Sequence, residues 1–252
     1  MWTDSHAHLT CDQLFEHVDA IIDRARVAKV EKIVNICTNV DELLRGIALR
    51  ERYPSIYNVG STTPHDVEKD GEAHFAAFAQ AARARQLVAV GETGLDYFYE
   101  HSNREMQQEF LKRYFALATD CNLPVVIHCR DAFADLFKFA DAHFKGKLLL
   151  HCFTGSEAEA KEALARGFLI SISGIATFKR STELRDVIKL IPLDQMVVET
   201  DAPYLAPQSK RGLVCESSYV VETGAMIAQI KGVEVDEVAS VTTSNAVTFF
   251  NL

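Results

Sequence analysis

Short apolar runs alternate with longer amphipathic stretches along almost the whole chain. Most of the runs are continuous and rich in β-branched residues, which is typical of strands covered on both faces. Eight such runs predict strands at Trp2–Leu9, Lys32–Cys37, Ile56–Ser61, Leu87–Gly91, Val125–His128, Leu148–His151, Phe168–Ser173 and Met196–Glu199. Apolar side chains that recur every three or four residues predict helices at Leu14–Val27, Asp41–Arg50, Gly71–Arg85, Arg104–Asp120, Ala132–His143, Ser156–Arg166, Thr182–Leu190, Ser217–Ile230 and Val235–Phe249.

This order of elements predicts an α/β fold. Eight strand–helix units in a row support either a closed TIM (β/α)8 barrel or a doubly wound open sheet. The chain has 252 residues, which is the usual size of one barrel. Neither a Walker sequence nor GxGxxG is present, which argues against an open nucleotide-binding sheet. Because no stretch resembles an interdomain linker, we expect a single TIM-barrel hydrolase domain over residues 1–252.

The charge of the protein limits how it could handle nucleic acid. The net charge is −9, whereas proteins that bind long duplex DNA usually carry a basic face. A positive surface for nucleic acid would therefore have to be local, and bound metal ions are one source of that charge.

The sequence also indicates where the protein is found. No apolar run is long enough for a transmembrane helix, and the N-terminal segment does not resemble a signal peptide. The six cysteines form no CxxC pair. We expect free thiols, a cytoplasmic protein and no membrane contact.

Five of the predicted strands finish with side chains that can bind a metal ion. In a parallel barrel the carboxyl ends of all strands meet on one face, so residues distant in sequence converge there. His6 and His8 have period-two spacing, which points both imidazoles to the same side of the first strand. Taken singly, each residue has an ordinary explanation as a core histidine or a turn acid. Together they predict a cage for divalent ions formed by His6, His8, Glu92, His128, His151 and Asp201.

Two carboxylates in this set are candidates for catalysis. Glu92 could bridge two cations, whose charges would keep it ionised. Asp201 could bind one ion and accept a proton from a bound water. Histidine with carboxylate ligands suits Zn, Mn, Fe or Ni more clearly than Mg, so the identity of the two divalent metal ions stays open.

At these residues the sequence resembles the TatD family of metal-dependent hydrolases, within the amidohydrolase superfamily. The resemblance covers nearly the whole chain and rests on Asp4–Leu9, Gly91–Tyr97, Pro124–Asp131, His151–Gly155 and Val198–Leu205. It implies a TIM barrel, a dinuclear metal centre and deoxyribonuclease activity, as a 3′-to-5′ exonuclease on single-stranded DNA and sometimes RNA. It also implies that one ion is held by His6, His8, Glu92 and Asp201, and the other by Glu92, His128 and His151.

The sequence departs from the family pattern at two places on the substrate side. The family's His-Pro-His after the third strand reads Thr63-Pro64-His65 here. Its Arg-x-x-Asn-Glu-Pro in the last loop keeps only an arginine and a glutamate, in the segment Arg211 to Ser217 that contains Cys215-Glu216-Ser217. The metal-ligand set is intact, so these departures bear on the substrate.

Several side chains are candidates for contacting a nucleic acid substrate. Cationic or imidazole side chains can bind phosphate oxygens, and exposed aromatic rings can stack on a terminal base. The candidates for substrate binding are His65, Arg130, Tyr97, Phe153 and Arg211, with Lys179 as a further phosphate contact.

Two other functions stay open on the sequence alone. The same cage could polarise a carbonyl and hydrolyse another ester, a lactone or an amide. A barrel that has lost catalysis could instead serve as a binding protein. Single-stranded nucleic acid is the expected partner, and a monomer is compatible with the sequence, which does not fix the oligomeric state.

Overall fold

Eight parallel strands form one sheet in a computed structural model that describes all 252 residues. Each strand pairs with the next one along the chain, so the order in the sheet is the order in the sequence. The strands are β1 Trp2–Ala7, β2 Val30–Cys37, β3 Ile56–Gly60, β4 Ala89–Asp96, β5 Val125–Arg130, β6 Leu148–Leu150, β7 Leu169–Ile172 and β8 Met196–Val198.

The sheet closes between its last and first strands. Ala7 and Ala202 form a parallel bridge just beyond β8. The His8 N–H donates to the Ala202 carbonyl at 2.7 Å, and the Asp201 N–H donates to the His6 carbonyl at 2.9 Å. This closure confirms the predicted TIM barrel and excludes the doubly wound open sheet.

The helices lie outside the barrel and bury one face each against the strands. None of them is long and apolar enough to cross a membrane. The α-helices are α1 Asp12–Phe15, α2 Val18–Val27, α3 Val40–Arg52, α4 Val67–Arg83, α5 Arg104–Cys121, α6 Phe133–His143, α7 Glu157–Ala165, α8 Thr182–Leu190, α9 Val220–Lys231 and α10 Val235–Phe250.

Side chains at the helix starts explain where several helices begin. The Asn39 side chain accepts the Glu42 N–H at the start of α3. At the start of α7, Ser156 and Glu159 form a reciprocal capping box. Such contacts satisfy N–H groups that have no partner within the helix.

Most elements differ from the sequence prediction by a few residues at their ends, and two differences change the description of the fold. The helix predicted over Leu14–Val27 is two helices, because His17 leaves helical dihedral angles and precedes α2 as its N-cap. The strand predicted over Leu87–Gly91 continues to Asp96 as β4. Glu92 therefore lies within a strand, between Val90 and Thr93, which pair with β5 on either side of a register shift.

The core has two layers. The larger one fills the space between the strands and the helices. A smaller cluster lies inside the barrel, where inward side chains such as Val126, Leu149 and Val197 pack with Phe249 and Phe250 of α10. These aromatic side chains fill the barrel interior, so the carboxyl ends of the strands are left for the polar residues of the site.

Candidate metal centre

The residues predicted as metal ligands meet at the carboxyl end of the barrel. Inward-pointing side chains alternate along a strand, so His128 follows the interior residue Val126 by two positions, and His151 follows Leu149 by two. Four imidazoles and two carboxylates converge there: His6, His8, Glu92, His128, His151 and Asp201.

The first group of donors combines the histidines of the first strand with two carboxylates. His6 Nε2 lies 3.3 Å from Glu92 Oε2 and 3.6 Å from Asp201 Oδ1. His8 Nε2 lies 3.7 Å and 3.5 Å from the same two oxygens. The donor atoms of His6, His8 and Glu92 lie within 4.8 Å of one another, and Asp201 Oδ1 lies next to both imidazoles.

The second group uses the other oxygen of Glu92. Glu92 Oε1 lies 2.8 Å from His151 Nε2 and 3.0 Å from His128 Nδ1. The two ring nitrogens are 3.4 Å apart. Each carboxylate oxygen of Glu92 therefore faces a different pair of imidazoles.

The geometry fits two divalent cations. Donor atoms at about 2.1 Å from one ion lie roughly 3 to 3.5 Å from one another, and the separations within the two groups run from 2.8 to 3.7 Å. His6 Nε2 is buried without a hydrogen-bond partner, and a cation would satisfy it. Imidazole with carboxylate donors suits Zn, Mn, Fe or Ni more clearly than Mg.

Both carboxylates are ionised in this environment. Burial raises the pKa of Glu92, but the charge on His151, hydrogen bonds from His128 and His151 and the nearby imidazole of His6 outweigh burial and hold the pKa well below its usual range. Burial also raises the pKa of Asp201, and the hydrogen bond from His8 and the neighbouring imidazoles lower it overall. Anionic oxygen donors are the form that binds a cation.

Two further buried carboxylates contact the outer ring nitrogens of the second group. Asp96 Oδ2 lies 2.8 Å from His128 Nε2, and Glu199 Oε1 lies 3.3 Å from His151 Nδ1. The hydrogen bond to Asp96 fixes the tautomer of His128 that leaves Nδ1 free for a metal. Neither acid belongs to the predicted site, although the inward alternation on β8 indicates Glu199, two residues after Val197.

A cavity of about 1470 Å³ opens above these residues. His65 and Arg130 line it, as the sequence predicts for substrate contacts. Phe98 and Tyr99 also line it, and the Arg130 guanidinium lies 3.9 Å and 4.8 Å from the centres of their rings. Arg130 forms no salt bridge, so its charge is available to an anionic ligand.

His65 also approaches the acid that holds His128. Its Nε2 lies 3.7 Å from Asp96 Oδ2, and one donor atom from each of the three residues falls within 4.8 Å of the others. Asp96 already accepts a hydrogen bond from His128 Nε2. The cluster is therefore best described as a hydrogen-bonded support of the metal centre that presents His65 to the cavity.

The prediction that Tyr97 stacks on a substrate base is wrong. Its hydroxyl donates to Asp135 at 3.3 Å, and the ring does not line the cavity. The physical reason is the length of β4, which runs to Asp96. The residues that follow Tyr97, namely Phe98 and Tyr99, are the ones exposed at the cavity.

The same prediction is wrong for Phe153. This side chain is 2% exposed and packs against Phe133 in the core. Arg211 is exposed in the loop after β8, outside the cavity wall, with its guanidinium 4.4 Å from the centre of the Phe178 ring. Its contact with substrate stays a prediction.

The departures from the family pattern have structural partners in this protein. The Thr63 hydroxyl donates to Asp66 at 3.0 Å beside the cavity. Glu216 is buried and forms a salt bridge of 2.6 Å with Arg24 of α2. Glu216 thus links the last loop to helix α2 through this salt bridge.

Comparison with known proteins supports the resemblance over the full length. The sequence profile of the TatD-related DNase family matches residues 3–251. The chain is 36% identical over 255 residues to the uncharacterized metal-dependent hydrolase YabD of Bacillus subtilis strain 168, with all of both chains covered. It is 33% identical over 258 residues to the 3′-5′ ssDNA/RNA exonuclease TatD of Cronobacter sakazakii, covering 98% of this chain and 97% of that one.

Solved structures agree with this result. The crystal structure of YjjV, a TatD homologue from Escherichia coli K12, superimposes with a TM-score of 0.94 at 29% identity, covering 100% of this chain and 98% of that chain. A TatD family hydrolase from Entamoeba histolytica gives a TM-score of 0.87 at 23% identity, with coverage of 98% and 97%. The second likeness concerns the fold alone.

Proposed function

The chain belongs to the TatD-related DNase family of metal-dependent hydrolases, and from this premise we propose that it hydrolyses phosphodiester bonds of single-stranded DNA from the 3′ end, with RNA as a second substrate. Relatives named 3′-5′ ssDNA/RNA exonuclease support this substrate class. The observation that carries the proposal is the position of Glu92. Its two oxygens face two separate pairs of imidazoles beneath an open cavity.

The residues divide the work of hydrolysis between them. Two divalent cations held by this set would lower the pKa of a bound water and offset negative charge on phosphate oxygens. Asp201 is ionised and lines the cavity, so it would orient the attacking water and accept its proton at a carboxylate oxygen. His8 Nε2 lies 3.5 Å from Asp201 Oδ1, so the two side chains would hold the same ion.

The cavity wall provides the substrate contacts in this proposal. Arg130 and His65 bind non-bridging phosphate oxygens, because a cation and an imidazole N–H both donate to them. Phe98 and Tyr99 are 54% and 52% exposed and stack on the terminal base. Stacking accepts every base, so we expect little sequence preference.

The setting of the enzyme is part of the proposal. All six cysteines are free thiols, which supports a reducing cytoplasm. The continuous closed sheet supports one domain over residues 1–252, and we propose a monomer.

The test is a comparison of the protein with an Asp201→Asn variant. Both are loaded with Mn²⁺ or Mg²⁺ and incubated with single-stranded DNA labelled at either end. We expect shortening from the 3′ end, and a loss of about 10² to 10⁴ in kcat in the variant, because positioned proton acceptors contribute roughly that factor. Metal content is measured on the same samples.

The exposed Asp194→Asn variant is the matched control and should retain full turnover. Near-normal turnover by Asp201→Asn, with metal retained, would contradict the role of Asp201. Hydrolysis of a carboxyl ester, lactone or amide panel without any cleavage of DNA or RNA would replace the proposed substrate. No hydrolysis of any kind would make the barrel a binding protein.

A further inference from the structure

Four cationic side chains near the mouth of the barrel have no acidic partner. Lys179 and Arg180 lie between β7 and α8, and Lys210 and Arg211 lie between β8 and α9. None of them forms a salt bridge, although the protein has 35 acidic residues against 26 lysines and arginines. Positive charge left unpaired on one part of an acidic protein is typical of a site for a polyanion.

The two loops form one surface. The Lys179 N–H donates to the Gln208 side chain at 3.2 Å, and the Gln208 N–H donates to the Thr177 hydroxyl at 2.8 Å. The Arg211 guanidinium lies 4.4 Å from the centre of the Phe178 ring. We call the surface of Lys179, Arg180, Lys210, Arg211 and Phe178 the basic platform.

The basic platform adjoins the metal centre. Ile175 and Leu205, from the same two loops, line the cavity, and Asp201 lies at the start of the second loop. The aromatic residues Phe98 and Tyr99 follow β4, and the sequential strand order places β4 across the barrel mouth from β7 and β8. A nucleic acid strand with its terminal base on these rings would extend over the opposite rim.

We propose that the basic platform binds the phosphodiester backbone of the uncleaved part of the strand, several nucleotides away from the bond that is hydrolysed. This inference rests on the proposed function and adds the path of the polynucleotide. A strand approaching a protein of net charge −9 is repelled overall, so a local cationic track is needed to hold it.

The acids of the adjoining helices leave the basic platform positive. Asp186 of α8 pairs with Lys189 at 2.7 Å, and Glu222 of α9 accepts a hydrogen bond from Ser209. Glu183 of α8 is exposed and forms no salt bridge. Four cations therefore face two acids without a cationic partner, Glu183 and Glu222.

The test removes two charges from the basic platform at side chains that make no contact needed for folding. The side chains of Lys179 and Arg180 make no hydrogen bond or salt bridge, so the double variant Lys179→Gln/Arg180→Gln should fold normally. The control is Arg83→Gln/Arg85→Gln, which removes two exposed charges at the end of α4, on the opposite face of the barrel. Each metal-loaded protein is assayed on single-stranded DNA of about 20 nucleotides and on bis(p-nitrophenyl) phosphate.

Binding is measured separately, by fluorescence anisotropy with a labelled phosphorothioate oligonucleotide that resists cleavage. For the platform variant we expect kcat/KM and affinity for the long strand to drop by about tenfold. The slope of the logarithm of the binding constant against the logarithm of the salt concentration should become less steep by roughly 0.7 for each lost phosphate contact. Turnover of bis(p-nitrophenyl) phosphate, which is too short to reach the basic platform, should stay within about twofold. The control variant should match the parent protein throughout.

The outcomes separate this inference from the proposed function. If the parent protein cleaves DNA and the platform variant shows unchanged kcat/KM, affinity and salt dependence, the basic platform does not bind the strand and the proposed function stands. An equal loss on the long strand and on bis(p-nitrophenyl) phosphate would overturn it too, because the change would then act on the metal centre. If neither the parent protein nor its variants cleave DNA, the proposed function is wrong. In that case, anisotropy that is equal in the parent and the platform variant would show that the basic platform does not bind the strand either.

Discussion

Asp96 divides its two carboxylate oxygens between the backbone and a metal ligand. Oδ1 accepts the N–H groups of Phe98 and Tyr99 at 3.1 and 2.7 Å, and Oδ2 accepts from His128 Nε2 at 2.8 Å. Burial raises the pKa of Asp96, but the hydrogen bonds from His128 and Tyr99 bring it to about 2. One ionised side chain thus positions both the aromatic rim and an imidazole of the metal centre.

An Asp96→Asn substitution should separate these two tasks. The amide oxygen can still accept the backbone N–H groups, but the NH₂ group cannot accept from His128 Nε2, so the tautomer with a free Nδ1 is no longer favoured. We expect metal affinity to fall by about 10- to 100-fold at one of two sites, with little change in the thermal midpoint of the metal-free protein. Titration calorimetry with Mn²⁺ measures the affinity.

Asp135→Asn serves as the comparison, because Asp135 contacts the Tyr97 hydroxyl and Lys138 and none of the proposed metal ligands. If the Asp96→Asn variant still binds Mn²⁺ at two sites with unchanged affinity, His128 keeps its orientation without the Asp96 carboxylate.

The metal ligands could be predicted from the sequence because each follows an apolar strand in a fold that gathers strand ends. Phe153 could not be placed, because Cys152 has a positive φ of 45° and turns the chain toward the core. A positive φ at a residue other than glycine cannot be recognised from a sequence pattern. Asp96 was missed because β4 extends beyond the apolar run that revealed it.

At the scale of elements, the pairing of β4 with β5 sets the distance between Glu92 and His128. Gly94 lies opposite His128 in this pairing, with φ near +149°. A Cβ atom at Gly94 would lie 1.9 Å from the His128 carbonyl oxygen. Only glycine lets the two strands approach this closely.

A Gly94→Ala substitution should therefore disturb both stability and metal binding. We expect the free energy of unfolding to fall by at least about 3 kcal/mol, because overpacking and an unfavourable φ act together. Urea denaturation of the metal-loaded protein measures it. Gly167→Ala is the control: φ is 72° but nothing lies within 4 Å of the added Cβ, so about 1 kcal/mol is expected. Equal losses in the two variants would contradict the steric argument.

Element positions followed from the sequence more closely than element lengths did. Continuous apolar runs located all eight strands, because strands buried on both faces admit few polar residues. The break at His17 was not visible, since Leu14, Val18 and Ile21 keep helical spacing across it and all three are buried. Periodicity reports which side chains face the core and not whether the backbone between them stays helical.

At the scale of the whole molecule, the metal centre and the interior core occupy different parts of the barrel. Phe249 and Phe250 pack with the interior strand residues, while the metal ligands lie at the carboxyl ends. The barrel has a complete apolar core of its own, so its folding does not depend on metal. The closed topology was predictable because the eight strand–helix units fit a barrel or an open sheet, and the absence of a Walker sequence and of GxGxxG argues against the open sheet.

Removal of metal should abolish hydrolysis and leave the fold intact. After treatment with a chelator we expect unchanged far-ultraviolet circular dichroism and a lower thermal midpoint. The stabilisation lost is about 2.7 kcal/mol for a cation present at about 100 times its Kd. Calorimetric scans with and without added Mn²⁺ test this. Global unfolding on chelation, or an unchanged midpoint after loss of all metal, would contradict it.

The closure of the barrel between β1 and the segment after β8, which we call the seam, can form only after the last strand has been synthesised. The hydrogen bonds that join the first strand to the segment after β8 involve the backbone of His6, His8 and Asp201, which are three of the residues that we propose as metal ligands. During synthesis on the ribosome, a nascent polypeptide lacks both the seam and the last ligand until residue 201 has emerged. A growing chain therefore cannot assemble this cluster of donor atoms until residue 201 has emerged.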